Sequence, residues 1–313
     1  MELHQEGRLG VTDTPILPIV QSTGTRCHPS DRKPALSAGG SDSSMDGMTV
    51  GIGVICENGK AAIVVADRMA TYSDLGIQFD GDITKYAEVS NRSIVVSSGT
   101  FSDISYVIKH LRNSPGDPLA TIPISQIADR GQSAREALRA EQIEVVYLRR
   151  PLGLGMAEFQ KAASSVSISQ ILNNTFDRIN QFRLALQLLV VGTDSDGAHL
   201  YVIDESARPA NFDGPGFAAI GSGFSHATVS LARRSHLKSC KLPQAVYNAY
   251  EAKRASELAI GVGRATNMAV LQQDKPTHFL KDRDIEKLVR IYQATKPPAL
   301  FRSDVAAIER ILR

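Results

Sequence analysis

The stretch "TVGIGVICENGKAAIVVADRMAT", residues 49–71, decides the fold. Residues 49–56 alternate and are rich in β-branched side chains, which predicts a strand. "ENGK" (57–60) supplies a turn. "AAIVVADRMAT" (61–71) is apolar on both faces and predicts a second strand, buried on both sides. Just before this stretch stands Met48. Thr49 is therefore either an ordinary strand residue or the first residue of the working chain.

Working outward, "YSDLGIQFDGD" (72–82) is a loop and "ITKYAEVS" (83–90) a further extended segment. "NRSIVVSSG" (91–99) reads as a strand after an Asn-Arg turn. "TFSDISYVIKHLR" (100–112) opens a helix, with Ser102 as its expected N-cap and Ile104, Val107, Ile108 and Leu111 on one face. Three strands followed by a helix is not a βαβ rhythm and points to antiparallel sheets carrying helices. Helical periodicity then covers 124–150 and 168–187, interrupted by "PLGLGMAEF" (151–159). "DSDG" (194–197) marks a hairpin turn between two strands. Residues 216–235 run from strand to helix through a glycine turn, 242–259 form an amphipathic helix, and "ATNMAVLQQ" (265–273) is a closing strand. This order predicts an α+β fold, a four-layer αββα sandwich of two antiparallel sheets.

Residues 1–48 differ, being rich in Pro, Ser, Gly and Asp with no sustained period. They read as a disordered extension, a propeptide, or a segment preceding a true start at Met48. The expected organisation is 1–48 as extension, 49–275 as the catalytic-type domain with a helical insertion at about 113–183, and 276–313 as a helical tail. The chain of 313 residues has a net charge of +2, which gives no broad basic field for nucleic acid. Cys27, Cys56 and Cys240 are too scattered for a disulfide framework or a zinc site. The longest apolar run, "LALQLLVVG" (184–192), falls well short of the roughly 20 residues of a membrane span. It reads as a buried strand with a helical lead-in. These features predict a cytoplasmic protein.

Six segments, in order, resemble the proteasome β-subunit branch of N-terminal nucleophile hydrolases, and its bacterial-type members, heat-shock-locus V peptidase and Anbu-like proteins. They are "TVGIGV", "VVADRMAT", "ITKYAEV", "SSGTFSD", "LLVVGTDSDGAHLYVID" and "AAIGSGFSHA", and the likeness covers about 49–112 and 187–271. The resemblance implies a threonine-type peptidase with Thr49 as nucleophile. Lys85 would hold positive charge near its hydroxyl, Asp67 would pair with Lys85, Gly99 would supply an oxyanion-hole N–H, and Ser222 would bond near the terminal amine. Ala70, Thr71, Ile83, Ala87 and Ser97 would flank the substrate. The chemistry agrees with the residue type: a threonine hydroxyl needs a base, and a first-residue α-amine with a pKa of roughly 7.7–8.0 can serve. An aspartate closing the apolar run "AAIVVA" also calls for a partner.

Three departures stand beside the likeness. Ala259 and Val262 occupy positions where core members carry an acid and a serine, and Met69 replaces a signature arginine. Self-cleavage in the family follows a glycine, whereas Met48 precedes Thr49 here; removal of an initiator Met48 would expose Thr49 without self-processing. The resemblance implies no obligatory cofactor and admits a monovalent cation at the 256–262 turn. It implies polypeptide substrates, a homo-oligomeric ring and an ATP-dependent unfoldase partner. Two other readings stay open: a non-catalytic ring subunit, and a different amide hydrolase on the same fold.

Overall fold

The structure, a computed structural model, describes residues 49–72, 77–80, 84–113, 116, 118–165 and 170–295. The expectations for residues 1–48, Ile83 and 296–313 lie outside the described residues, as do the side chains of Ala70 and Thr71.

The decisive stretch forms three strands. β1 (Gly51–Cys56) and β2 (Ala61–Asp67) pair antiparallel through the 57–60 turn. The expected single strand 61–71 breaks at Arg68, whose N–H donates to Ala265 O, and β3 (Met69–Tyr72) pairs instead with β4 (Ile77–Asp80). β5 (Tyr86–Ser90) and β6 (Ser93–Ser98) follow. α1 (Phe101–Asn113) begins one residue before its expected cap, Ser102. Thr100 is the residue that caps it, since its O and Oγ1 accept from the N–H groups of Ile104 and Asp103.

α2 (Ile124–Ile143) continues through a π-helical segment at 144–149 into α3 (Arg150–Leu152), ending at Gly153 with φ +68°. The expected break at 151–159 is thus only three residues long, because α4 (Met156–Ser165) starts at once. α5 (Gln170–Gln181) stops short of the predicted 187. Residues 182–186 are non-helical and lead into β7 (Gln187–Asp194), β8 (Gly197–Ile203), β9 (Ala210–Asn211) and β10 (Phe217–Ile220). α6 (Phe224–Arg233), α7 (Leu242–Ser256), β11 (Thr266–Gln272), β12 (His278–Phe279) and α8 (Asp282–Thr295) complete the chain.

Two antiparallel five-stranded sheets result, ordered β10-β1-β2-β11-β12 and β5-β6-β7-β8-β9. The period-2 alternation sorts side chains between layers. Ile52, Val54, Ile63 and Val65 pack outward on Ala227, Leu231, Ala245 and Ala249 of α6 and α7. Ile55, Val64 and Ala66 pack inward against Val96, Leu189, Val191 and Leu200 of the second sheet. Val95, Leu188 and Val190 then meet Val107, Leu111, Ile124 and Ile127 of α1 and α2. Each buried Ile, Leu or Val contributes about 1.5–3 kcal/mol of transfer free energy, so both faces of each sheet are occupied. The expected αββα sandwich is present.

Glycines on β1 set the spacing of the sheets. A Cβ on Gly53 would stand 2.8 Å from Leu200 Cδ2, and one on Gly51 would stand 2.6 Å from Val96 Cγ1. The stretch expected as an insertion divides in two. α2 is itself an outer layer of the sandwich, while α4 and α5 pack on the 144–149 segment, with the Phe159 and Phe176 rings 5.0 Å apart. At the other end of the chain, β12 extends the first sheet, and Ile285, Leu288 and Tyr292 of α8 pack on its helical layer. Among the described residues, no helix is long and apolar enough to cross a membrane.

Candidate functional site

Asp67 is the last residue of β2 and shares a face with Ile63 and Val65. It is 0% exposed, which is costly for a carboxylate unless every lone pair is used. Its Oδ1 accepts from Thr49 Oγ1 at 2.6 Å, from Val50 N at 3.0 Å and from Lys85 Nζ at 3.1 Å. Its Oδ2 accepts from Met69 N at 3.0 Å, from Lys85 Nζ at 3.0 Å and from Gly263 N at 3.2 Å. The strand break at Arg68 is what turns the Met69 N–H back onto this carboxylate. The arginine itself points away, to Asn267 and Asp282.

Thr49 is 3% exposed and is fixed at three points. Its hydroxyl meets Asp67, and its carbonyl accepts from Gly223 N at 3.2 Å and from Ser222 Oγ at 3.3 Å. Gly221 takes φ +82°, and a Cβ there would lie 2.4 Å from Thr49 O. The glycine turn expected at 221–223 is therefore shaped to fit Thr49. Ser222 also reaches Ile260 O at 3.1 Å and shares its proton between the two carbonyls. It is not a helix cap: Gly223 holds that position in α6, without a side-chain bond.

Thr49, Asp67, Lys85 and Ser222, spread over 173 positions of sequence, thus meet at one point. Lys85 is positioned by the second sheet, where its carbonyl accepts from Ser97 N at 3.1 Å. Its side chain, 10% exposed, bridges to Asp67 of the first sheet. Gly99 follows β6 and takes φ +153°. A Cβ there would stand 2.9 Å from both Ala185 O and Leu186 Cδ1. Packing against 185–186 alone thus requires glycine, a reason additional to the expected clearance for a substrate carbonyl. Ala87 pairs with Val95 in register, so Ala87, Val95 and Ser97 share the face turned to α1. Ala70 and Thr71 pair with Phe79 and Gln78.

A cleft of about 700 Å³ reaches the cluster at Ser222, with Ser98, Leu186, Gln187, Glu205 and Phe224 also in its lining; Thr49, Asp67, Lys85 and Gly99 do not line it. Neither Ala87 nor Ser97 lines it. Arg135, buried on α2, shapes one wall by donating to Leu184 O and Leu186 O. Sequence reasoning missed this wall because "FRLALQ" (182–187) has apolar spacing that suits a helix as well. It also missed the Val50, Met69 and Gly263 amides, since backbone donors leave no trace in residue identity.

Ala259 and Val262 offer Asp67 and Thr49 no side-chain hydrogen bond; the turn works through its backbone instead. At the 256–262 turn, the carbonyls of Ser256, Ala259 and Ile260 accept from Ala259 N, Val262 N and Ser222 Oγ. Among the described residues, no group of three His, Cys, Asp or Glu is placed to hold a metal ion.

Chemically, the cluster presents a hydroxyl whose proton is directed at a carboxylate neutralised by an adjacent ammonium. With three donors on each oxygen, Asp67 is an orienting acceptor. In the 313-residue chain the Thr49 nitrogen is a peptide amide and carries no basic lone pair. The site therefore holds a hydroxyl, a carboxylate and an ammonium in contact, with no free α-amine beside them in the full chain. No protein-family model matches the chain, and no curated protein sequence matches it.

Proposed function

We propose that this chain is a threonine-type peptidase whose working form begins at Thr49. The observation that carries the reading is the buried Thr49–Asp67–Lys85 contact, 2.6 Å from hydroxyl to carboxylate and 3.0 Å from carboxylate to ammonium. In the processed chain the α-amine takes the hydroxyl proton as Oγ1 attacks a peptide carbonyl. Lys85 stabilises the developing negative charge, and the Gly99 N–H receives the carbonyl oxygen. The amine then passes its proton to the leaving nitrogen, leaving an ester on Thr49. Water, deprotonated by the same amine, releases the acid and restores the hydroxyl.

The reading extends to polypeptide substrates handled in the cytoplasm inside a homo-oligomeric ring, with an ATP-dependent unfoldase for folded ones. Exposed apolar side chains support an assembly: Phe176 of α5 stays 39% exposed beside Phe159, and Leu258 and Ile260 near the site are 79% and 77% exposed. Light scattering of the purified protein should give a closed multiple of the protomer mass. An active monomer at micromolar concentration would refute the ring.

Intact mass of the native protein tests the core of the proposal. Loss of residues 1–48 together with peptide hydrolysis is expected. Activity in a chain that still begins at Met1 would overturn it. A second reading, a non-catalytic ring subunit, is favoured by one observation: Thr49 is nearly inaccessible and amide-bonded in the full chain. A native chain that keeps Met48 and hydrolyses no peptide would select it.

A further inference from the structure

Lys253 has a side chain that is 0% exposed, on α7 among Ala249, Tyr250, Ala252 and Ser256. A buried ammonium is costly and persists only with good partners. Here Nζ donates to Glu257 Oε1 and to Arg264 O, both at 2.6 Å. Burial pulls its pKa below the usual lysine value, against the pull of Glu257.

The two partners of Lys253 bracket the turn that serves the candidate site. Between Glu257 and Arg264 the chain turns at Gly261 with φ +83°. It then delivers the Ile260 carbonyl to Ser222 and the Gly263 N–H to Asp67 Oδ2. Ala259 and Val262, within this turn, cannot anchor it by side-chain hydrogen bonds. Val262 does pack under Gly223, where a Cβ would lie 3.1 Å from its Cγ2, so movement of the turn reaches the amide that holds Thr49 O.

We infer that Lys253 is a positioning residue: by pinning both ends of the 257–264 turn, it aims the Gly263 amide at Asp67 and thereby orients Asp67 toward Thr49. The catalytic half of this inference rests on the peptidase reading; the positional half does not. Replacing Lys253 by methionine keeps the length and removes the donors. Glu257 then retains Arg254, 2.9 Å from its Oε1, so the change leaves no orphaned carboxylate. Removing one member of a buried ion pair destabilises mainly through the charge left unpaired, and Arg254 keeps Glu257 paired here. Loss of function without loss of fold is therefore the signature of positioning.

The test combines exchange and kinetics on the full, natively processed protein. In Lys253→Met, the amide of Gly263 should exchange with deuterium about tenfold faster while β1 and β2 keep their protection. Turnover of a fluorogenic peptide should fall about tenfold in kcat with KM within about twofold of the parent. Should the methionine variant fail to fold, Glu257→Gln, which loosens the same ion pair, is read identically. Unchanged Gly263 exchange overturns the inference, as does faster exchange with unchanged kcat. If the parent protein cleaves no peptide, the peptidase reading fails, and the Gly263 exchange alone decides whether Lys253 positions the turn.

Discussion

Thr49 Oγ1 lies 2.6 Å from Asp67 Oδ1, and the Val50 amide meets the same oxygen at 3.0 Å. One carboxylate oxygen therefore fixes both the side chain of Thr49 and the backbone that follows it. Thr49→Ala should abolish peptide hydrolysis, because no other hydroxyl among the described residues sits on Asp67. Thr49→Ser should retain measurable turnover, since hydroxyl and α-amine both remain. Equal activity in the parent and the alanine variant would remove Thr49 from the mechanism.

Lys85→Ala leaves the Asp67 charge buried without its ammonium. Breaking a buried pair from one side costs about 3–5 kcal/mol, so the urea midpoint should fall sharply. Activity should fall by several orders of magnitude as the positive charge at the hydroxyl is lost. A variant as stable as the parent would show that the pair is solvated.

Gly221→Ala places a methyl 2.4 Å from Thr49 O at a left-handed backbone position. The conformation costs of order 1 kcal/mol, and the clash displaces Thr49 as well. A shift of about 1 Å at the nucleophile is worth roughly 100-fold in rate. Kinetics on the folded variant should show that loss mainly in kcat; unchanged kcat would mean that the turn does not set the position of Thr49.

His199 lies between two carboxylates, with Nδ1 2.7 Å from Asp213 Oδ2 and Nε2 3.0 Å from Asp194 Oδ1. The bond to Asp213 raises the imidazole pKa, burial opposes it, and Asp194 adds to the rise. Its stabilisation is complete below the unfolded value of about 6.5 and fades as pH climbs through the higher folded value. For Asp194, burial is outweighed by the Ile124 and Asp196 amides and by His199, so its pKa is lowered. For Asp213, burial is outweighed by hydrogen bonds from His199, Leu200 and Asn211. The contribution of both acids is present above their unfolded values, about 3.9, and is lost on acidification. The cluster therefore stabilises most between about pH 4 and 6.5. Urea midpoints should decline from pH 6 to about 8 in the parent and decline less in His199→Gln. Parallel curves for the two proteins would count against this cluster.

The sequence by itself determined the layers. Alternation in 49–67, 93–98 and 187–203, and helical spacing in 101–112, 124–150 and 242–256, are local properties of residue order. They dictate which face of each element must be covered, and two covered sheets require helices outside both. Asp67 was legible as well, because a carboxylate closing an apolar strand must find partners. Tertiary structure decided where those partners come from. The Gly263 amide reaches Asp67 across 196 positions, and Ser222 reaches Thr49 across 173. Any residue but proline offers the same N–H, so no side-chain pattern marks it. The break at Arg68 and the non-helical 182–186 are met by long-range bonds from Arg68 to Ala265 and from Arg135 to Leu184 and Leu186, whereas the cap at Thr100 is made by local bonds to Asp103 and Ile104. Each element's period comes from its own backbone geometry, whereas the donors at the site come from segments that only the packed sheets bring together.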